Sequence, residues 1–119
     1  MISDFEKIVL LICKKNEINL ERIRAYNKWN IAKRKKEKES ILKELFQEYK
    51  KKSKEGKVLF AKIRPIKKDI GAKFLWDSSG YCTNIILNDL VIKSRYEIEQ
   101  AATDIECEAI LLGKEIKYE

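Results

Sequence analysis

The stretch WNIAKRKKEKES, residues 29–40, decides the fold, because the chain must either run through it as one helix or turn back within it. Five positive charges lie within six consecutive positions here, at Lys33, Arg34, Lys35, Lys36 and Lys38. Neither glycine nor proline occurs between residues 20 and 55, so no residue type that commonly breaks a helix marks a turn. The stretch raises one question about architecture and another about what so much positive charge would bind.

Apolar residues on both sides of the stretch favour one continuous helix. Ile23 and Ile41 are 18 positions apart, which is five full helical turns. A helix over residues 20–55 would be roughly 50 Å long, whereas a compact domain of this size has a radius of gyration of about 13–14 Å. We therefore predict a long basic helix that protrudes or packs on a partner. The alternative is a break near residues 38–40, with Ser40 capping a second helix.

The N-terminus predicts a separate short helix. Ser3 followed by Glu6 matches the Ser-x-x-Glu capping box, in which each residue satisfies a free backbone N–H at the start of a helix. Apolar residues then recur at helical spacing up to Lys15, and the polar sequence NEIN at residues 16–19 interrupts them. We predict a helix over residues 4–15.

Beyond the long helix, the pattern becomes typical of strands. Gly56 is expected to end the helix. Apolar and β-branched runs then predict three strands, near residues 57–64, 72–77 and 80–87. Pro65 limits the first run to an edge or to the end of a strand. The sequence DSSG at residues 77–80 predicts the turn of an antiparallel hairpin.

The C-terminal part predicts an amphipathic helix over residues 95–112. Ser94 and Glu97 form a second Ser-x-x-Glu box, and Gly113 follows as a stop. The outer face of this helix is acidic. Residues 114–119 are expected to add a short edge strand.

The order of these elements predicts a single domain of the α+β class, with the last helix covering one face of a small antiparallel three-stranded sheet. A chain of 119 residues has the size of one domain. Residues 1–56 would form its basic helical part, and residues 57–119 would form the sheet and the C-terminal helix.

The net charge of +7 is unevenly divided along the chain. Residues 1–73 carry 22 Lys and Arg against 10 Asp and Glu, a charge of +12, and residues 74–119 carry 4 against 9, a charge of −5. A basic half favours polyanions such as nucleic acid or an acidic protein surface. Only five of the 26 basic residues are arginine, so contacts are expected to go to phosphates rather than to base edges. A lysine bias from an AT-rich genome is the competing explanation.

The composition argues against several classes of function. The chain has no histidine and three widely separated cysteines, so we expect no zinc site, no disulfide framework and no Ser-His or Cys-His catalysis. We predict that the protein is not an enzyme and uses no cofactor or metal, and that each thiol is a small buried hydrophobe. No segment has the roughly 20 apolar residues of a membrane span or the flanks of a signal peptide. This predicts a cytoplasmic protein, in the host cytoplasm if viral, that does not bind membranes.

Basic side chains interleaved with aromatic ones predict the binding site. On a continuous helix, one face would carry cations that follow a phosphate backbone and rings that stack on bases. The residues predicted to bind nucleic acid are Arg22, Tyr26, Lys28, Trp29, Lys33, Arg34, Lys35, Lys36, Lys38, Lys50, Lys51, Lys52, Lys67 and Lys68. The expected partner is DNA, RNA or a nucleoprotein complex such as a ribonucleoprotein.

Alternatives stay open for both the residues and the function. Tyr26 and Trp29 could pack in the core, and the lysines at residues 33–38 could form a solvated helix face. The protein could instead be a protein–protein interaction module whose long helix pairs with itself in a homodimer or with an acidic protein surface. It would then be an adaptor, or a phage or mobile-element accessory protein that inhibits a nucleic-acid-processing machine.

Overall fold

The computed structural model of this protein describes residues 2–116. Its elements in chain order are α1 (Asp4–Arg34), α2 (Glu39–Ile70), β1 (Lys73–Trp76), β2 (Cys82–Leu87), β3 (Leu90–Ile92) and α3 (Arg95–Leu111). Contacts between α1 and α2 run in opposite chain directions, so the two long helices form an antiparallel hairpin. The sheet and α3 pack against the N-terminal half of α1. These elements confirm the α+β class. Of the predicted edge strand, residues 114–116 are not a strand, and residues 117–119 lie outside the described part of the chain.

The chain turns back between α1 and α2, so the prediction of one continuous helix is wrong. Lys36 adopts a left-handed backbone with φ of 56°. The N–H of Lys36 donates to the carbonyl of Lys33, and the N–H of Glu37 donates to that of Ala32, both at 3.1 Å. These two bonds define a Schellman motif, which ends a helix by satisfying its last carbonyls. The helical spacing of the apolar residues does not reveal the turn. Each helix of a hairpin has a row of apolar residues that it buries against the other helix.

The start of α2 also differs from the alternative prediction that Ser40 caps it. The N-cap residue is Lys38, and its side chain makes no capping hydrogen bond. The carbonyl of Lys38 accepts from the N–H groups of Ile41 and Leu42, at 3.0 and 3.1 Å. Ser40 itself lies inside the first turn of α2.

α1 is 31 residues long, so the prediction of a short helix ending at residue 15 is wrong. Its predicted capping box is confirmed: Ser3 Oγ accepts from the N–H of Glu6 at 3.1 Å, and Glu6 Oε1 accepts from the N–H of Ser3 at 3.0 Å. The polar residues of the NEIN sequence do not break the helix, because two of them point into the protein. Asn16 is buried, its Nδ2 donates to the Cys82 carbonyl at 3.1 Å, and its Oδ1 accepts from the Cys82 N–H at 2.8 Å.

The predicted strand over residues 57–64 is wrong, because these residues lie within α2. Leu59, Ile63, Ile66 and Ile70 face the core at spacings of four, three and four, and Ile63 is fully buried. This helical period outweighs the strand preference of the β-branched residues. Pro65 lies inside the helix and is exposed, so water can solvate the carbonyl that loses its backbone donor.

The sheet is an antiparallel meander of three strands in the order β1-β2-β3. The predicted hairpin is confirmed as β1 and β2, which pair with Phe74 opposite Ile85. In its DSSG turn, Asp77 Oδ1 accepts from the N–H groups of Ser79 and Tyr81, at 2.9 and 3.0 Å. The third strand is β3 rather than residues 57–64.

The core lies where the sheet, α3 and both long helices meet. Residues 8–12 of α1 are all buried, because the helix is covered on every side over this segment. Ile63, Ile85 and Ile98 bring α2, β2 and α3 to the same cluster. As predicted, the Ser94 hydroxyl caps α3, accepting from the N–H of Glu97 at 3.1 Å, and a glycine in the left-handed region follows its end.

The molecule is elongated, with extents of 51 × 31 × 24 Å and a radius of gyration of 16.9 Å. We call residues 20–54 the arm and the remaining described residues the head. Ala25 and Ala32 are the only buried residues of the arm. The arm is therefore a two-helix projection that carries the basic stretch at its end.

Candidate nucleic-acid interface

The end of the arm concentrates positive charge in a small space. Lys33 and Arg34 form the last turn of α1, and the residues that follow connect it to α2. The cations of this group, which we call the tip, are Lys33, Arg34, Lys35, Lys36 and Lys38, and all are exposed. Within residues 2–116, no carboxylate lies within 4.0 Å of a tip cation. Cations at a helix C-terminus are favourable without a ligand, but charges grouped and unpaired in this way also suit phosphates.

Beside the tip, four aromatic rings form a cluster between α1 and α2. Trp29 lies 5.1 Å from Phe46, and Tyr26 lies 5.3 Å from Tyr49, measured between ring centroids. The rings are tilted or edge-on to one another, as aromatic pairs prefer. Tyr26 and Trp29 therefore pack between the helices, as the alternative interpretation held. Tyr26 still keeps 42% of its surface exposed, so part of its ring is accessible.

Lysines lie over the faces of this ring cluster. Lys33 Nζ is 4.9 Å from the centroid of Trp29, and Lys50 Nζ is 5.1 Å from that of Phe46. Cation–π contacts of this kind hold ammonium groups without neutralising them. The structure thus brings four predicted residues, Tyr26, Trp29, Lys33 and Lys50, onto one surface of the arm.

Two other predicted residues are occupied by contacts within the protein. Arg22 donates through Nη2 to Asn19 Oδ1 at 2.9 Å and to the Ser79 carbonyl at 3.3 Å. Lys52 Nζ lies 2.9 Å from Glu21 Oε2 and 3.4 Å from Glu55 Oε2, and the hydrogen bond to Glu21 raises the pKa of Lys52. Arg22 positions the β1–β2 turn, and Lys52 joins the two helices.

The remaining predicted residues are spread over both the arm and the head. Lys51 lines a separate groove with Ile18 and Val58, on a side of α2 different from that of Lys50. Lys67 lies on the head, with its Nζ 5.1 Å from the centroid of the Phe74 ring. Lys28 and Lys68 are exposed. Lys36 follows the end of α1, so it does not continue the face predicted for a straight helix.

A groove in the head contains binding candidates that the sequence prediction missed. It lies between α1, α2 and the β1–β2 hairpin, has a volume of about 420 Å³, and is lined by Lys15, Gly56, Lys57, Phe60, Arg64 and Trp76. Lys57, Phe60 and Arg64 lie at i, i+3 and i+7, which places them on one face of α2. That spacing is visible in the sequence, but the prediction of a strand over residues 57–64 conceals it.

The groove and the arm surface belong to one continuous face of the helical hairpin. We call it the basic–aromatic face; it consists of Lys15, Arg22, Tyr26, Trp29 and Lys33 from α1, Phe46, Tyr49, Lys50, Lys57, Phe60, Arg64 and Lys67 from α2, and Phe74 and Trp76 from β1. Steps of three, four and seven keep the α1 residues in line, and they also relate the α2 residues, apart from the adjacent pair Tyr49 and Lys50. From Lys15 to Lys33 the face extends about 27 Å at 1.5 Å per residue.

The acidic residues of α3 do not neutralise this face. α3 packs against α1 and β2. None of the ion pairs in the described part of the chain joins an α3 carboxylate to the basic–aromatic face. Glu99 and Glu106 instead lie near Cys13. Over the described residues, the acidic residues of α3 therefore form no ion pair with the basic–aromatic face.

The cysteines form no disulfide. Burial raises the pKa of Cys13 and that of Cys82 to about 11, so both thiols stay protonated at neutral pH. Cys82 is buried as predicted, Cys13 is half-buried, and Cys107 is exposed, contrary to the prediction.

Comparison with known proteins finds no match: no family model, no curated protein and no solved structure is significantly similar to this chain. Among residues 2–116, no group of three or more Cys, Asp or Glu side chains is placed to hold a metal ion. Over the same residues, no helix combines the length and apolar character needed to cross a bilayer.

Proposed function

We propose that this protein is a non-enzymatic nucleic-acid-binding protein whose tip and basic–aromatic face contact the phosphate backbone. The observation that carries the proposal is that five cations of this face, Lys15, Lys33, Lys50, Arg64 and Lys67, lie over aromatic rings instead of beside carboxylates. A cation held in this way keeps its charge available for a phosphate, and the exposed rings of Tyr26 and Trp76 offer surface for a base. The scarcity of arginine favours phosphate contacts over base recognition.

Salt dependence of oligonucleotide binding tests the proposal. Engaging five phosphates of a duplex should give a slope of about −4 to −5 in log affinity against log salt concentration. The triple variant Arg34→Gln, Lys35→Gln, Lys36→Gln removes three tip charges while leaving Lys33 over its ring. Its slope should be shallower by about 3.

The matched control is the triple variant Lys62→Gln, Lys93→Gln, Lys114→Gln, which removes the same charge from exposed positions outside the tip and the basic–aromatic face. It should retain nearly the wild-type slope. Phosphate binding at the tip would be contradicted by a wild-type affinity that does not change with salt. An equal decrease in the salt slope of the two triple variants would also contradict it.

A second candidate function is a protein–protein interaction module, favoured by a separate surface. Ile110 and Leu111, at the end of α3, are 77% and 86% exposed. Apolar residues exposed together often mark interaction sites. Sedimentation equilibrium distinguishes this candidate: a dimer that the double variant Ile110→Ser, Leu111→Ser converts to a monomer would support it, and a monomeric wild-type protein would rule out the homodimer.

A further inference from the structure

The groove in the head is lined by positively charged side chains and by no carboxylate. These side chains are Lys15, Lys57 and Arg64. Lys15 is half-buried, and in the described residues no carboxylate lies within 4.0 Å of its Nζ. Burial, followed by the charge of nearby Arg22, lowers the pKa of Lys15. An anion in the groove would offset the repulsion between the charges of Lys15 and Arg22.

The same groove offers aromatic surface beside the cations. Phe60 and Trp76 meet edge-to-face, with centroids 5.8 Å apart and planes at 71°. Lys15 Nζ lies 5.2 Å from the centroid of Trp76 and 5.7 Å from that of Phe60, and Arg64 lies 5.2 Å from that of Phe60. Trp76 is 39% exposed. An anionic group and a flat ring can therefore be held side by side.

Gly56 also lines the groove and places no side chain beside Lys15. It lies in the middle of α2, where glycine costs about 0.5–1 kcal/mol relative to alanine. A Cβ atom there would meet only Ile18 Cγ2 at 3.9 Å and Lys15 Nζ at 4.0 Å, which are ordinary contacts. Packing does not require glycine at this position, but a methyl group would narrow the groove next to Lys15.

We propose that the groove holds one nucleotide of a single-stranded nucleic acid, with its phosphate at Lys15, Lys57 and Arg64 and its base stacked on Trp76. The inference rests on the proposed function and adds that single strands are preferred. Bases of a duplex are stacked on one another and do not reach a protein ring, whereas bases of a single strand do. A volume of about 420 Å³ lies within the usual range for small-ligand sites.

Fluorescence of Trp76 tests the inference in the full chain. The background variant Trp29→Phe leaves Trp76 as the sole tryptophan and preserves the ring cluster of the arm. A homothymidine strand of about 12 nucleotides, within the usual size of single-strand sites, should quench Trp76 emission. A duplex of the same length should not quench it.

Substitutions within the groove give the matching affinity test. Trp76→Leu, made in the wild-type chain, should weaken single-strand binding by about 5- to 150-fold, because it removes the ring on which the base stacks. Arg64→Gln should reduce the salt slope for the single strand by about 0.7. The control Lys62→Gln, on α2 but about 140° around the helix from Lys57, should leave affinity, slope and quenching unchanged. Circular dichroism checks that each variant is folded.

The outcomes separate this inference from the proposed function. If the single strand binds without quenching Trp76, and Arg64→Gln behaves like Lys62→Gln, the groove inference is wrong while binding at the tip stands. Equal quenching by the duplex overturns the preference for single strands. If neither nucleic acid binds at low salt, both proposals fail.

Discussion

At the scale of single residues, Lys36 combines a left-handed backbone with one of the positive charges of the tip. Its φ of 56° lies in the left-handed region, which costs a residue with a Cβ about 1–2 kcal/mol and which glycine adopts freely. The ends of α2 and α3 use Gly71 and Gly113 for the same conformation. A lysine at the third such position gives up stability but adds charge at the tip.

The prediction at Lys36 is that replacement by glycine stabilises the protein and weakens nucleic-acid binding. Lys36→Gly should raise the free energy of unfolding by about 0.5–1 kcal/mol, because the left-handed backbone no longer clashes with a Cβ. Urea denaturation monitored by circular dichroism measures the change. Oligonucleotide affinity should fall, because one phosphate contact is lost.

The control for this prediction is the neighbouring residue Lys35. It carries the same charge but has φ of −78°, in the right-handed helical region. Lys35→Gly should therefore lose affinity to a similar degree while lowering stability. If both variants lower stability equally, the left-handed conformation of Lys36 is not the source of strain.

At the scale of secondary-structure elements, the sequence predicts α3 and the β1–β2 hairpin well because their signals are local. The pair Ser94 and Glu97 marks the start of α3, Gly113 its end, and the DSSG turn the hairpin, each within a few residues. Strand β3 escapes prediction because it is short and follows a turn at Asn88, whose φ of 52° is unusual for a residue other than glycine.

The long helices are harder to predict because their signals are not local. The turn between α1 and α2 depends on a lysine in the conformation usually taken by glycine. Asn16 and Asn19 are buried, but in the sequence they interrupt the apolar pattern and so suggest the end of a helix. The basic tip is evident from charge alone. The groove is not evident, because its residues share a face only if α2 is helical through residues 57–64.

The prediction for α2 is that Gly56→Ala stabilises the protein by about 0.5–1 kcal/mol. Alanine is the better helix former, and its Cβ would make only ordinary contacts with Ile18 and Lys15. The midpoint of urea denaturation reports the change. For contrast, Gly71→Ala places a Cβ at φ of 69° and should destabilise the protein. A loss of stability in Gly56→Ala would contradict the packing described for this part of α2.

At the scale of the whole molecule, stability and charge are distributed in opposite directions. The head contains the hydrophobic cluster around residues 8–12, whereas buried residues in the arm are limited to two alanines. The arm is held by the aromatic cluster and by Lys52 bridging to Glu21. Most of the exposed positive charge therefore lies on the less firmly packed part of the molecule.

This distribution predicts a gradient of amide hydrogen exchange along the hairpin. Amides in residues 8–12 should open only when the whole protein unfolds, whereas those in residues 26–34 and 41–50 should exchange through local opening and at a faster rate. Mass spectrometry of peptides after exchange measures both regions in one experiment.

Adding a single-stranded oligonucleotide should slow exchange in the arm, because a ligand that binds the folded form stabilises it. Peptides from α3 serve as the internal control. Uniform exchange across the hairpin would show that the arm is as firmly packed as the head. A decrease in exchange confined to α3 would contradict binding of the oligonucleotide to the arm.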